Sequence, residues 1–236
     1  MGRLTFVCLL LSAFCLPAAL SSCSPPESAP SKPAQPWVSL FNGKDLTGWK
    51  QNGGTWTVED GALKMEQGPN NGWGWLWTER DDFRDFELEL EWKATPKNTN
   101  SGIYFRCDSP DPKDRRDGKH TFQADMGISH HAEGWGGSFN NDDVSGWLEA
   151  DHRTFIVVNR AAQYALKPYG EWNRYRIVAD GPHIVLEMNG HRTVDWTDIT
   201  PKPHAYPNSI GIQDHGGKGE EGMVVWFRNF RIRELK

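Results

Sequence analysis

Apolar and polar residues alternate with a period of two along much of this chain. Phe86, Leu88, Leu90 and Trp92 interleave with Glu87, Glu89 and Glu91, so a strand here carries its apolar set on one face and its glutamates on the other. Ile184, Leu186 and Met188 repeat the pattern, and Asn189-Gly190 follows them. Both residues of a two-residue hairpin turn must accept positive φ, which Asn and Gly do at least cost, so this pair predicts a hairpin. Asp60-Gly61, ahead of Ala62-Leu63-Lys64-Met65, predicts another. Gly102 to Arg106, Thr154 to Val158, Tyr175 to Val178 and Val224 to Phe227 are further short strand candidates. Helical periodicity of any length is absent. Many short strands separated by Gly, Pro and Asn turns predict an all-β sandwich or jelly roll of antiparallel sheets. With no internal repeat, one domain suffices.

The first residues break this pattern. Arg3 precedes an almost wholly apolar run from Leu4 to Leu20, and Leu20-Ser21-Ser22-Cys23 ends it with small residues before a cysteine. This reads as a secretory signal over residues 1–22, and it resembles the lipobox at which bacterial lipoproteins are cleaved and acylated. Cys23 is then the lipid anchor, and the expected location is the bacterial cell envelope, with the membrane touched through that anchor alone. Residues 23–36 are rich in Pro and Ser and form an extended linker. The folded domain is expected over 37–236.

Composition narrows the function. A net charge of -5 supplies no basic surface, so nucleic acid is not an expected partner. Of 4 cysteines, Cys8 and Cys15 leave with the signal, Cys23 carries lipid and Cys107 stands alone, so neither an intramolecular disulfide nor a Cys-based zinc site is available. The 12 tryptophans and 24 glycines are the unusual counts. Large aromatics fill sandwich cores, but flat rings beside glycines also stack on the apolar faces of sugars.

Several segments, in order, identify a family. They are Phe41-Asn42-Gly43-Lys44-Asp45-Leu46-Thr47-Gly48-Trp49, Trp56 to Gly61, Asp85-Phe86-Glu87-Leu88, Asn100 to Arg106, Glu171-Trp172-Asn173, Gly211-Ile212-Gln213-Asp214-His215-Gly216, and Phe227 to Phe230. Together they resemble the 3-keto-disaccharide hydrolase domain family. The resemblance implies a concanavalin A-like jelly roll, a saccharide substrate, and cleavage of glycosidic bonds in 3-keto-glycosides. One stretch departs from the family pattern: Thr121 stands where many members carry a Glu, while Gln123 and Asp125 are kept.

The implied chemistry starts from acidity. A ketone at C3 acidifies the C2 hydrogen, a base removes it, the enolate expels the C1 substituent, and water addition completes a net hydrolysis. Such a reaction needs a base titrating near neutrality and a group to hold the enolate oxygen. His215, between a β-like run and Gly216-Gly217, is the first choice for base or metal ligand. A divalent metal held by oxygen and imidazole ligands, or an arginine, suits the second role. Gln213 shares strand parity with His215, and Gln123 with Asp125. The four converge if both strands line one sheet. Arg106 either binds sugar hydroxyls or an enolate, or makes a structural salt bridge. Asn100 shapes a turn or binds sugar, and Trp135 and Trp147 are sugar platforms or core. Glu87, Glu89 and Glu91 invite a carboxylate-pair mechanism, but on an ordinary strand they form its solvated face. A lectin-like binding module without turnover is the alternative.

Overall fold

The structure, a computed structural model, describes residues 35–67, 72–95, 100–107, 122–126, 148–150, 154–156, 165–199, 208–216 and 222–235. Cys23, the leader, the linker up to Ala34, Thr121, Trp135 and Trp147 lie outside the described residues.

The described chain is a two-sheet antiparallel sandwich, as the alternation predicts. Its strands are β1 (Val38–Ser39), β2 (Trp49–Asn52), β3 (Trp56–Glu59), β4 (Ala62–Glu66), β5 (Gly74–Thr78), β6 (Phe86–Ala94), β7 (Gly102–Phe105) and β8 (Phe122–Asp125). Then come β9 (Leu148–Ala150), β10 (Thr154–Ile156), β11 (Asn173–Asp180), β12 (His183–Met188), β13 (His191–Thr197), β14 (Gly211–Asp214) and β15 (Val224–Glu234). An eight-stranded sheet runs β13-β12-β11-β6-β15-β4-β3, with β1 also on β15, and a seven-stranded sheet runs β10-β9-β8-β7-β14-β5-β2. Both expected hairpins form. Asp60 and Gly61 take φ of 49° and 76°, and Asn189 and Gly190 take 51° and 82°, the left-handed pairs that the turn requires.

One face of each sheet meets the other in the core. Phe86, Leu88, Leu90 and Trp92 of β6 face Leu76, Ile103 and Ile212 of the seven-stranded sheet, all with at most 1% exposure. Each such side chain contributes about 1.5–3 kcal/mol on burial. The remaining faces look outward, and they differ in chemistry.

On the eight-stranded sheet the outward face is ionic. Glu87 and Glu89 are buried, at 4% and 7% exposure, rather than solvated as the alternation alone implies. Arginines from the flanking strands cover them: Arg176 and Arg233 close on Glu87, and Arg174 and Arg231 on Glu89. Glu91 accepts from Arg228 at 2.7 Å and Asn229 at 2.9 Å. These carboxylates are held as a structural ladder, not left as an acid and base pair.

Candidate functional site

The outward face of the seven-stranded sheet carries a different set. Strand register fixes which side chains share it. Gln213 pairs with Trp75, and Trp75 with Asn52, in one row across the strands. In the next row Trp77 pairs with Gly211, Gly211 with Tyr104, and Tyr104 with Gln123. Asp125 pairs with Gly102 and so belongs to the Gln213 row. Their strand neighbours Leu76, Ile212, Ile103 and Ala124 point into the core, as the period of two requires.

Within this face the amides form a chain of hydrogen bonds. Gln123 Nε2 donates to Gln213 Oε1 at 2.9 Å, and Gln213 Nε2 donates to the Tyr104 hydroxyl at 3.0 Å. Gln123 Nε2 also approaches Asp125 Oδ2 at 3.4 Å. Gln123, Gln213 and Asp125 are 3%, 2% and 6% exposed, so these contacts operate away from bulk water, where polar groups interact strongly. Asp125 is tied to the opposite sheet as well: Tyr175 donates its hydroxyl to the Asp125 carbonyl at 2.9 Å. Full burial, then the nearby Asp125 charge, push the Tyr175 phenol well above its ordinary value, so it serves only as a neutral donor.

Two glycines make the arrangement possible. A Cβ on Gly102 would lie 2.3 Å from Gln123 Nε2, and one on Gly211 would lie 2.4 Å from Trp77 Cζ3. The Gln123 side chain and the Trp77 ring therefore lie across strand backbone that no other residue leaves bare. Trp75, Trp77, Tyr104 and Cys107 pack beside the amides as a separate apolar cluster.

His215 follows β14 immediately and stands opposite Trp73. Their rings are 3.9 Å apart between centroids, and Trp73 in turn stacks on Trp75 at 6.2 Å with planes 18° apart. The backbone here is held from two sides. Gln67, just past β4 of the other sheet, donates to the His215 carbonyl at 3.0 Å. A Cβ on Gly216 would come within 2.4 Å of Gly72, so the two backbones touch. Ladder spacings place His215 and Asp125 about 12 Å apart between Cα atoms, two strands and two residues away from each other. They flank the amide pair.

Arg106 is not part of this cluster. Alternation would put it on the outward face with Tyr104, but its φ of 51° breaks the alternation. Its guanidinium donates to the Arg84 carbonyl at 3.0 Å and to Asp85 Oδ1 at 3.1 Å, and also bonds the Gly181 carbonyl. At 1% exposure it is the structural salt bridge, joining the end of β7 to the eight-stranded sheet. Asn100 is buried at the entrance to β7, with its backbone N–H on Met223 Sδ at 3.0 Å. Its side chain makes no hydrogen bond to the cluster among the described residues. Also among the described residues, no three His, Cys, Asp or Glu side chains gather as metal ligands.

Tyr104, Trp73, Trp75 and Trp77 join the site without having been singled out in the sequence. The Trp73-Gly74-Trp75-Leu76-Trp77 spacing was the available signal, with three indoles on one face of an extended segment.

Residues 36–233 match the 3-keto-alpha-glucoside-1,2-lyase-like domain. A 3-keto-disaccharide hydrolase from Bacteroides thetaiotaomicron is 27% identical over 238 residues, covering 86% of this chain and 79% of that protein. Among solved structures, a Parabacteroides distasonis protein provisionally described as a glycosyl hydrolase is 28% identical, with a TM-score of 0.58 over 84% of this chain and 99% of that one. A carbohydrate-binding module from Bacillus subtilis shares the fold alone, at 13% identity and a TM-score of 0.53 over 79% and 96% of the two chains.

Proposed function

The chain belongs to the 3-keto-alpha-glucoside-1,2-lyase-like domain family, and from that membership and the polar face just described we propose that it cleaves 3-keto-glycosides at the cell envelope. The observation carrying this reading is the buried Gln123–Gln213–Tyr104 hydrogen-bond chain, flanked by Asp125 on one side and His215 on the other. Neutral amide donors in a dry setting suit an oxygen that becomes negative only during reaction.

In the proposed sequence the keto ring lies over the two glutamines. The His215 imidazole takes the C2 proton, the C2–H electron pair forms a C2–C3 double bond, and negative charge moves to the C3 oxygen. The Gln213 Nε2 hydrogen that is not given to Tyr104 holds that oxygen, while Gln123 fixes the Gln213 amide from its oxygen end. The enolate then re-forms the ketone, its electrons shift to C1–C2, and the C1–O bond breaks. The departing oxygen leaves with the proton that His215 carries. Water next adds across C1 and C2, its oxygen to C1 and a proton to C2, and the His215 imidazole, neutral again once the departing oxygen has left, takes the water proton and returns it. The net change is one water consumed and one glycosidic bond broken.

A lectin-like module is the second reading, and Trp73, exposed to 49%, is the feature that favours it. Turnover decides between them. Purified protein is assayed with a 3-keto-disaccharide, with and without chelator, beside His215→Ala. The expected result is turnover that falls by about 10²–10⁴-fold in the variant, while the chelator arm reads the need for a divalent ion. Equal turnover in the two proteins removes His215 as the base, and binding without turnover favours the lectin.

A further inference from the structure

One large aromatic side chain on this face takes no part in the proposed bond cleavage. Trp73 is a large apolar side chain exposed to 49%, whereas Trp75 beneath it is 1% exposed. Its ring is not loose: it stacks nearly parallel on Trp75, planes 18° apart, and meets the His215 ring at 3.9 Å. Its backbone is fixed too. A Cβ on Gly53 would lie 2.8 Å from the Trp73 carbonyl oxygen, and one on Gly216 would lie 2.6 Å from the Trp73 nitrogen. The indole is therefore held by aromatic stacking and by close backbone packing on both sides, while the residue as a whole keeps 49% of its surface exposed.

A rigid, half-open indole beside a buried polar cluster is what stacking on a sugar ring requires, because the apolar face of a pyranose and an aromatic face exclude water together. Position decides which ring it takes. Rows two residues apart along a strand are about 7 Å apart, of the order of one pyranose ring. Trp73 lies one such row beyond Gln213 and Trp75, with His215 beside it. A keto ring over the glutamines that turns its C2 hydrogen to His215, as the proposed reaction requires, directs its C1 substituent toward Trp73.

We propose that Trp73, supported by Trp75, is the platform for the leaving ring, so that the site selects glycosides whose leaving group is itself a ring over those with a small alkyl group. This rests on the keto-glycoside reading of the same face. Specificity then comes from binding energy gained outside the reacting ring, which enters kcat/KM for ring-bearing substrates only.

The test compares kcat/KM for a 3-keto-disaccharide and for the corresponding methyl 3-keto-glycoside in wild type, Trp73→Ala and Trp73→Phe, with melting temperatures measured in parallel. The ratio of the two values is expected to fall by about three- to tenfold in Trp73→Ala and to be largely kept in Trp73→Phe. An unchanged ratio in Trp73→Ala overturns the proposal. Wild type that turns over neither substrate overturns the hydrolase reading instead. Calorimetric titration with the unoxidised disaccharide then judges the platform. Weaker binding to Trp73→Ala than to wild type upholds it, and equal binding, or no heat with wild type, overturns it.

Discussion

Gly102→Ala tests whether the amide pair is built on bare backbone. Gly102 does not have a positive φ, so alanine is acceptable to the backbone and only the space above it is at issue. The added methyl would lie 2.3 Å from Gln123 Nε2, 2.7 Å from its Cγ and 2.9 Å from its Cδ. Gln123 must therefore leave its place over the strand. Overpacking a well-filled interior costs about 1–3 kcal/mol, and losing the 2.9 Å bond to Gln213 adds about 0.5–1.5 kcal/mol. The sum, about 1.5–4.5 kcal/mol, lowers the melting temperature of a domain this size by about 3–18 °C. Circular dichroism melts of wild type, Gly102→Ala, Gln123→Ala and the double variant form a cycle. If the clash is the cause, Gly102→Ala costs little in the Gln123→Ala background. A cost that is the same in both backgrounds, or a wild-type melting temperature in Gly102→Ala, refutes the reasoning.

Three other outcomes follow from the same geometry. Arg106→Lys cannot reproduce the fork that reaches Arg84, Gly181 and Asp85, so urea unfolding should show a loss of about 2 kcal/mol or more. Unchanged stability would return Arg106 to the list of ligand-binding groups. Glu89→Ala strands Arg174 and Arg231 together and should cost about 1–3 kcal/mol in chemical denaturation, with 3-keto-glycoside turnover retained in the folded protein. Burial raises the Glu89 carboxyl, but its two arginines outweigh burial and set it below its ordinary value of 4.5. A depressed carboxyl contributes stability above pH 4.5 and loses it as pH falls through the lower folded value. Melts between pH 6 and pH 3 should therefore show a steeper acid loss in wild type than in Glu89→Gln; parallel curves would remove Glu89 from the explanation.

What the sequence makes legible depends on how each strand is buried. Strands β6 and β12 show their period of two because one side is apolar and the other polar, and the β3–β4 and β12–β13 hairpin turns carry residues that accept positive φ. Strand β5 is buried on both faces along its whole length, so it shows no polar alternation and reads as an unplaced run of tryptophan and glycine. The meeting of Gln123 with Gln213 needs both strands in one sheet and a register that puts the two side chains on one face, and neither is local in the sequence. Tyr104 meets Gln213 across 109 residues of sequence, beyond any local pattern. Arg106 misleads for a single local reason: one left-handed residue at the end of β7 reverses the side that alternation assigns. The solvation of Glu87 and Glu89 is misjudged because arginines on β11 and β15, distant in sequence, fold over them.

In the proposed reaction, bond cleavage proceeds through removal of the C2 proton over the glutamine pair. Turnover of a 3-keto-disaccharide in D2O, with deuterium at C2 of the released keto sugar measured by NMR against an enzyme-free control, tests it most directly. About one solvent deuterium at C2 per turnover is expected with wild type, and loss of both turnover and enzyme-dependent exchange in His215→Ala. Product that keeps its original hydrogen at C2 would contradict it and point to direct displacement at C1.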